Sequence, residues 1–265
     1  MARKRKELPV IEGMEITDVA AEGKALGRVD EMVVFVPFAA PGDVIDVKID
    51  KKRKSYAEGH IERLVKPSDI RVEPRCEHFT ICGGCRWQHL PYDFQLACKQ
   101  RQVTDALTRI AKVELPEITP IKGSADIWEY RNKMEYTFSN RCWLTFEQLR
   151  SGEDFPDRDA AGFHIPGAFD KVLDIKRCHL QDDLGNRLRL FIKDFGKQHG
   201  YAFYDLRAQQ GLLRTLMIRI ASTGEIMAVM VFGEDDSDKI KTLLDAVREA
   251  VSYTHLRAHE TLRHL

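Results

Sequence analysis

The sequence concentrates thiol side chains in one short stretch, Cys76-Glu-His-Phe-Thr-Ile-Cys82-Gly-Gly-Cys85. Three of the six cysteines fall there, with the spacing C-x5-C-x2-C. Several thiolates on one tight loop are the ligands that a soft metal prefers. Gly83 and Gly84 allow a sharp turn between the last two sulfurs, because glycine tolerates positive φ angles. The stretch therefore predicts a metal or cluster site.

A tetrahedral sulfur site needs a fourth ligand, and the candidates are Cys98, Cys142 and Cys178. We favour Cys178 because the stretch Asp174–Leu180 has the pattern of a strand end followed by a helix start. Cys98 falls on a predicted helix, and we interpret it as a small apolar packing residue, the common role of an isolated cysteine. We interpret Cys142 as a packing residue as well.

Sites built from cysteine alone hold zinc or iron–sulfur clusters. Structural zinc usually takes two CxxC pairs or a mixture of Cys and His, whereas this sequence has one CxxC pair. We therefore favour a [4Fe–4S] cluster over zinc. A disulfide in a secreted protein is a further explanation, which the lack of a signal peptide disfavours. Three unrelated buried cysteines would not explain the crowding.

Composition gives broad limits on function. The chain has 265 residues, 43% hydrophobic and 31% charged, with 41 Lys+Arg against 41 Asp+Glu, and this length is enough for two domains. A net charge of zero gives no indication that the protein binds nucleic acid, so the distribution of charge along the chain is more informative. No run of residues is apolar enough to span a bilayer, and the basic stretch Ala2–Lys6 lacks the apolar segment of a secretory signal. We expect a cytoplasmic protein without membrane contact.

Residues 8 to about 65 show short strand patterns separated by Gly and Pro turn signals, which are typical of a small β-barrel. A cationic stretch followed by an aromatic residue lies between two of these strands. On an OB-like barrel such a loop would bind nucleic acid through phosphate contacts and base stacking. The residues concerned are Lys51, Lys52, Arg53, Lys54 and Tyr56. A solvated hairpin tip explains them equally well.

The rest of the sequence predicts an α+β domain. Periodic apolar residues predict helices over Tyr92–Lys112, over Asp183–Lys197 and from Ser237 onward. Alternating patterns predict strands that pair through hairpins into a mostly antiparallel sheet, with helices to one side. The predicted strands are Arg131–Ser139, Trp143–Phe146, Gly162–Ile165, Leu213–Ala221 and Ile226–Phe232.

The last stretch, Ser252–Leu265, fits neither the helix before it nor a helix cap. His255 and His259 are four residues apart beside Glu260, a spacing that could hold a metal on a helix, but no buried scaffold surrounds them. We interpret residues 252–265 as a non-native tail that resembles translated sequencing-adapter DNA. The native protein would then continue beyond Val251.

Three features together resemble one known family. They are a barrel with a basic loop, the motif Cys76-x5-Cys82-Gly-Gly-Cys85-x-Trp-Gln-His89, and the later Asp174-x-x-x-Cys178-x-Leu-Gln181. Over residues 8 to about 250 the chain resembles the TRAM-domain RNA uracil-5-methyltransferases, most closely the 23S ribosomal RNA type. The segments Trp128–Lys133 and Gly162–His164 are similar to the central domain of that family.

The resemblance implies that Cys76, Cys82, Cys85 and Cys178 hold a [4Fe–4S] cluster that supports folding and RNA contact. It implies methyl transfer from S-adenosylmethionine to carbon 5 of a uridine. In that reaction a cysteine thiolate adds to the uracil ring, a carboxylate removes a proton and the cysteine leaves. It also implies an RNA partner, ribosomal RNA, and a monomer at full length. Arg131 and Lys133 join the basic loop as expected phosphate contacts.

The S-adenosylmethionine site and catalytic cysteine of that family lie in a C-terminal Rossmann-like domain, for which we find no glycine-rich loop. We therefore expect an α+β fold class with an OB-like barrel over 1–67, a central domain over 68–251 and no Rossmann-like methyltransferase domain. No catalytic or cofactor-binding residue is assigned, and S-adenosylmethionine is expected for the full-length protein only. The isolated chain is expected to be inactive. The helix over 92–112 would pack on the missing catalytic domain.

Two alternatives from other classes stay open. A methylthiotransferase also joins a cluster to a TRAM barrel, but it has the spacing C-x3-C-x2-C and carries the barrel at the other end of the chain. A non-enzymatic RNA-binding module with a bound zinc ion is the second alternative.

Overall fold

A computed structural model describes residues 8–250 of the chain. They form two compact units, one made of residues 8–80 with Gly84–Ala125, and the other of Ile81–Gly83 with residues 126–250. The basic stretch at residues 2–6 and the tail interpreted as non-native lie outside the described residues. Within them, no helix is long and apolar enough to cross a membrane.

The first unit contains a closed five-stranded barrel in which the strands follow the order β1-β2-β3-β5-β4. All neighbouring strands are antiparallel except β3 and β5, which pair in parallel and close the barrel. Alternate residues point inward, so that Ile16, Val34, Val36, Ile45 and Val47 are fully buried in its core. The strands are β1 (Val10–Val19), β2 (Lys24–Val29), β3 (Met32–Pro37), β4 (Val44–Lys52) and β5 (Tyr56–Lys66).

Strand β2 contains Gly27 within its short apolar pattern. A Cβ at position 27 would lie 2.4 Å from the carbonyl oxygen of Glu15 on β1. The close approach of two strands in a small barrel therefore requires glycine at this position.

Helix α1 (Tyr92–Asp105) also belongs to the first unit and continues as one π-helical turn over Ala106–Ile110. Two side chains of α1 hold it to the barrel: Gln102 Nε2 donates to the carbonyl of Ala20 at 3.0 Å, and Arg101 pairs with Asp18. The predicted apolar stripe is present, but Val103, Leu107 and Ile110 are exposed.

The second unit is built on a five-stranded antiparallel sheet with the strand order β10-β9-β6-β7-β8. Its strands are β6 (Lys133–Ser139), β7 (Ala160–Ile165), β8 (Ala168–Asp174), β9 (Leu213–Ile220) and β10 (Ile226–Phe232). As the alternation predicts, Met134, Tyr136 and Phe138 of β6 are buried, whereas Lys133 and Glu135 are exposed.

Three helices accompany the sheet: α2 (Phe146–Arg150), α3 (Asp183–Gln198) and α4 (Ser237–Ala250). Apolar residues of α3 and α4 pack with the buried residues of β6 and β9 in one core; its members include Tyr136, Leu188, Ile192, Leu216, Ile218, Leu243 and Val247. Helix α3 begins after Asp182, whose side chain accepts a hydrogen bond from the Leu184 N–H at 2.8 Å.

The strand predicted over Trp143–Phe146 is absent from the second unit. Cys142 forms only an isolated bridge with Val172, and the chain then enters α2. Thr145 starts that helix with a capping box, in which its hydroxyl accepts from Gln148 N at 3.2 Å and the Gln148 side chain accepts from Thr145 N at 2.9 Å. The local helix-start signal therefore outweighs the strand preference of the aromatic residues.

Candidate metal centre and nucleic-acid interface

Two of the predicted ligands, Cys76 and Cys85, lie in the irregular segment between β5 and α1 of the first unit. Cys76 N donates to Gln88 Oε1 at 3.1 Å, and the Cys76 carbonyl accepts from Phe79 N at 3.0 Å, which closes a turn. Burial raises the pKa of the Cys76 thiol, backbone N–H groups lower it, and the charge of Cys85 raises it further. The two sulfurs are therefore close enough to interact electrostatically.

The other two predicted ligands, Cys82 and Cys178, lie in the second unit. Both pack against one small apolar cluster formed by Ile165, Leu173 and Ile175. Burial raises the pKa of the Tyr136 hydroxyl, and the charges of Cys178 and Cys82 raise it further. Two cysteines 96 positions apart in the sequence thus share one environment in the folded unit.

The backbone of Cys178 is held from both sides by Asn186, a buried residue in the first half of α3. Cys178 N donates to Asn186 Oδ1 at 2.8 Å, and Asn186 Nδ2 donates to the Cys178 carbonyl at 2.9 Å. Strand β8 ends at Asp174 and α3 begins at Asp183, so this contact spans the turn between them. It gives the cysteine a fixed backbone position.

Gly83 lies between two predicted ligands and has a φ angle of +75°. A Cβ at this position would lie 2.4 Å from Cγ of Pro166. Both the backbone conformation and the close ring therefore require glycine, as the sequence predicted for a sharp turn between sulfurs.

The four predicted ligands form two pairs, one in each unit. Within residues 8–250, no group of three or more His, Cys, Asp or Glu side chains stands ready to hold a metal ion. The chemistry of the donors fits an iron–sulfur cluster, because four cysteine thiolates are the ligands of a [4Fe–4S] cluster. All four thiols are partly accessible. A fully buried arginine beside Cys178, with an Nε that lacks a hydrogen-bond partner, also fits an anionic sulfur ligand. The four-cysteine ligand set stays a prediction.

Cys98 and Cys142 are placed differently from the predicted ligands. Cys98 is 2% exposed on α1, and burial raises the pKa of its thiol. Burial also raises the pKa of Cys142, whose Sγ donates to the carbonyl of Trp143 at 3.4 Å. A thiol with a raised pKa is a poor nucleophile, because the thiolate is the reactive form. These environments suit packing residues.

The predicted nucleic-acid loop is the hairpin between β4 and β5, closed by a hydrogen bond from Arg53 N to the carbonyl of Tyr56 at 2.8 Å. Its four cations, Lys51, Lys52, Arg53 and Lys54, are all exposed. Tyr56 is half-buried, and its ring meets Phe35 edge-on at 5.9 Å between centroids. The cations are available to phosphates, whereas Tyr56 is already partly engaged by the barrel.

Arg131 and Lys133, the other predicted phosphate contacts, lie at the start of β6 in the second unit. Both are exposed, and Arg131 Nε donates to the carbonyl of Lys133 at 3.2 Å. The sequence analysis missed Asn186 and Arg189 near Cys178. In the sequence these are two polar residues, three positions apart, within the helix predicted over Asp183–Lys197. A search for apolar periodicity alone does not select them.

Comparison with known proteins identifies relatives of this chain. Residues 11–61, which cover most of the barrel, match the TRAM domain. Over 241 residues the chain is 54% identical to an uncharacterized RNA methyltransferase of Porphyromonas gingivalis, a match that covers 89% of this chain and 52% of the relative. This chain contains a TRAM domain and is similar to RNA methyltransferases.

A second relative, an uncharacterized RNA methyltransferase of Bacteroides thetaiotaomicron, is 51% identical over 213 residues, which cover 80% of this chain and 47% of the relative. The chain therefore spans about half the length of the curated relatives it matches. A Pyrococcus abyssi tRNA (uracil-54, C5)-methyltransferase, solved in complex with S-adenosyl-L-homocysteine, matches with a TM-score of 0.57 at 25% identity. That match covers 87% of this chain and 48% of the solved one.

This comparison corrects the predicted fold class. We expected a fold without a Rossmann-like methyltransferase domain, and that exclusion is wrong, because the matched structure is a methyltransferase with S-adenosyl-L-homocysteine bound. The search for a glycine-rich loop covered 265 residues, whereas the relatives are about twice as long. Its failure therefore says nothing about the fold class of the whole family. The barrel and the antiparallel sheet are the architecture of residues 8–250.

Proposed function

We propose that this chain is part of an S-adenosylmethionine-dependent RNA uracil-5-methyltransferase, and that residues 8–250 bind the RNA. The observation that carries the proposal is the closed barrel, whose residues 11–61 match the TRAM domain within a chain 54% identical to a relative named as an RNA methyltransferase. The uracil base and its carbon 5 are supported by the tRNA (uracil-54, C5)-methyltransferase of similar fold.

The β4–β5 hairpin supports RNA binding by this part of the chain. It places four exposed cations on consecutive residues that run from the end of β4 into the turn. Phosphate groups are the dominant partners of such clusters, and the release of their counterions supplies much of the affinity. Contacts of this kind orient an RNA but do not read its sequence.

The RNA substrate is proposed to be ribosomal RNA, and transfer RNA is the competing substrate because the solved relative acts on it. One methylation assay distinguishes ribosomal RNA from transfer RNA as the substrate. The full-length protein is incubated with labelled S-adenosylmethionine and either protein-free 23S ribosomal RNA or unmodified transfer RNA, and the hydrolysed RNA is analysed for 5-methyluridine. Label in ribosomal RNA only supports the proposal, and label in transfer RNA only refutes the ribosomal part.

The same assay tests the methyltransferase proposal itself. A full-length relative serves as the positive control, and label in a base other than uridine would refute carbon-5 methylation of uracil. The inactivity expected of the isolated 265-residue chain stays a prediction, which the assay tests beside that control. A cytoplasmic location and a monomeric full-length protein also belong to the proposal.

We also propose that Cys76, Cys82, Cys85 and Cys178 together bind a [4Fe–4S] cluster. Such a cluster, when bound, would fix the loop over residues 76–85 through three iron–sulfur bonds and join it to Cys178 through the fourth. Cys178 would be presented by the Asn186 contact, and Gly83 would permit the turn between Cys82 and Cys85. Anaerobically purified protein is expected to be brown with about four iron atoms per chain. Colourless protein that contains one zinc ion would show that the cysteines bind zinc and not an iron–sulfur cluster.

A further inference from the structure

Arg189 is a fully buried arginine on α3, with 0% of its surface exposed. Its Nη1 donates to the carbonyl of Ala161 at 2.8 Å and its Nη2 donates to the carbonyl of Lys176 at 3.0 Å. The guanidinium carbon lies 5.2 Å from the centroid of the Tyr136 ring, and Nε has no hydrogen-bond partner. A buried cation that is bonded only to neutral groups is costly, so an anion is expected nearby.

The carboxylate of Asp174 is one anion whose charge reaches Arg189, but its hydrogen bonds go elsewhere. Asp174 Oδ2 accepts from Lys193 Nζ at 2.6 Å, and Oδ1 accepts from the Ala161 N–H at 3.0 Å. Lys193 is therefore the direct cation partner of Asp174, whereas the hydrogen bonds of the Arg189 guanidinium go to neutral carbonyls.

Cys178 lies close to Arg189 in the turn before α3, because Arg189 Nη2 donates to the carbonyl of Lys176, two residues before Cys178. Burial lowers the pKa of Arg189, and a negative charge on Cys178 would raise it. Asn186, which holds the backbone of Cys178, precedes Arg189 by three residues and so lies on the same face of α3. One helix face therefore presents both a backbone clamp and a buried cation to this cysteine.

We propose that α3 forms the outer layer of the cysteine site, in which Asn186 positions Cys178 and Arg189 compensates the negative charge of Cys178 as a sulfur ligand. This inference rests on the proposed cluster. Residues of the outer layer commonly orient metal ligands and tune the metal. Asn186 and Arg189 are positioning residues, since neither would bind iron.

The two roles predict different effects. Reduction adds an electron to an already anionic cluster, so a buried cation favours the reduced form and raises the reduction potential. Removing the charge of Arg189 should lower the potential of the cluster. Removing the Asn186 amide leaves all charges unchanged, so it should weaken retention of iron without moving the potential of the clusters that remain.

The experiment uses the 265-residue chain, purified anaerobically as the wild type and as Arg189→Gln, Arg189→Lys, Asn186→Ala and Arg158→Gln. Iron content, visible absorption and the midpoint potential are measured for each. Arg158 is the matched control, because it is an arginine of the same unit that donates to the carbonyl of Cys142, which is not a predicted ligand. We expect a more negative potential in Arg189→Gln, rescue in Arg189→Lys, partial iron loss in Asn186→Ala and no shift in Arg158→Gln.

An unchanged potential in iron-loaded Arg189→Gln, or no rescue by lysine, would overturn the inference while leaving the cluster in place. A wild type without iron would instead overturn the proposed cluster, and the inference with it. Folding supplies a second measurement. Without the cluster the site contains no iron-bound thiolate, so Arg189→Met should fold in metal-free protein as well as the wild type. If neither Arg189→Gln nor Arg189→Met folds without metal, Arg189 is a structural residue and the inference is refuted.

Discussion

The guanidinium of Arg71 binds both carboxylate oxygens of Asp43, with Nε 2.7 Å from Oδ1 and Nη2 2.6 Å from Oδ2. Asp43 is fully buried and also accepts hydrogen bonds from Ala40 N and Ser68 N, at 2.6 Å and 2.9 Å. Asp43 immediately precedes β4, and Arg71 lies in the segment that leads to the cysteine loop. Within the first unit this pair fastens that segment to the barrel.

Breaking the Asp43–Arg71 pair from one side should strongly destabilise the first unit. Arg71→Met leaves a buried carboxylate without its cation, at a cost of about 3–5 kcal/mol in the free energy of unfolding. Urea denaturation measures the change. Arg63→Met is the control, because Arg63 also pairs with a carboxylate, that of Asp46, but its side chain is 70% exposed. An equal loss in both variants would contradict the special role of the buried pair.

The same carboxylate predicts how stability depends on pH. Burial alone would raise the pKa of Asp43, but hydrogen bonds from Arg71, Ala40 and Ser68 outweigh it and hold the pKa below 3.8. The folded state thus binds this proton more weakly than the unfolded state. Its stabilising contribution is complete above about pH 4, the pKa of an unfolded aspartate, and is lost as the pH falls through the lowered value. Asp43→Asn should show a flatter loss of unfolding free energy between pH 5 and pH 2.

Replacing Lys51, Lys52, Arg53 and Lys54 together with alanine should weaken RNA binding at low salt, because four exposed cations near phosphate are removed. Each lost contact on single-stranded RNA lowers the log–log salt slope by about 0.7. Filter binding at several salt concentrations measures the slope. Lys239→Ala with Lys241→Ala, two exposed cations of α4, is the control and should leave the slope unchanged. The same slope in the loop variant and the wild type would identify a solvated hairpin tip.

Single replacements by alanine should separate the cysteines into two groups. Loss of Cys76, Cys82, Cys85 or Cys178 should abolish the visible absorption and most of the iron, because a cubane with four thiolate ligands lacks one bond in each variant. Cys98→Ala and Cys142→Ala should keep the iron content of the wild type. Iron analysis of anaerobically purified protein provides the measurement. Full iron retention in Cys178→Ala would remove Cys178 from the ligand set.

Gly83→Ala should impair the cysteine loop more than Gly167→Ala, although both glycines have positive φ angles, +75° and +82°. The backbone strain of alanine at such angles is about 1 kcal/mol in each case. Only at position 83 does the added Cβ meet Pro166, because nothing lies within 4 Å of a Cβ at position 167. The midpoint temperature of thermal unfolding and the iron content should both be lower in Gly83→Ala than in Gly167→Ala. Equal losses would show that only the backbone angle matters.

Several parts of this protein follow from the sequence alone, because they depend on local spacing. The alternation in β6 predicted which of its residues are buried, and the apolar period predicted α3 to within one residue of Asp183–Gln198. The spacing of Cys76, Cys82 and Cys85 predicted a sharp turn at glycine. These features are set within one strand, one helix or one loop, so a short window of sequence contains the information.

The tertiary structure decided which distant residues meet. Closure of the barrel brings Arg71 to Asp43, and the packing of α3 on the sheet brings Asn186 and Arg189 to Cys178. Nothing in the sequence period distinguishes these polar residues from solvated ones, because their burial depends on what lies opposite them. A buried charge is tolerated only where folding supplies its partners. The choice of those partners is therefore a property of the assembled core and not of the local sequence.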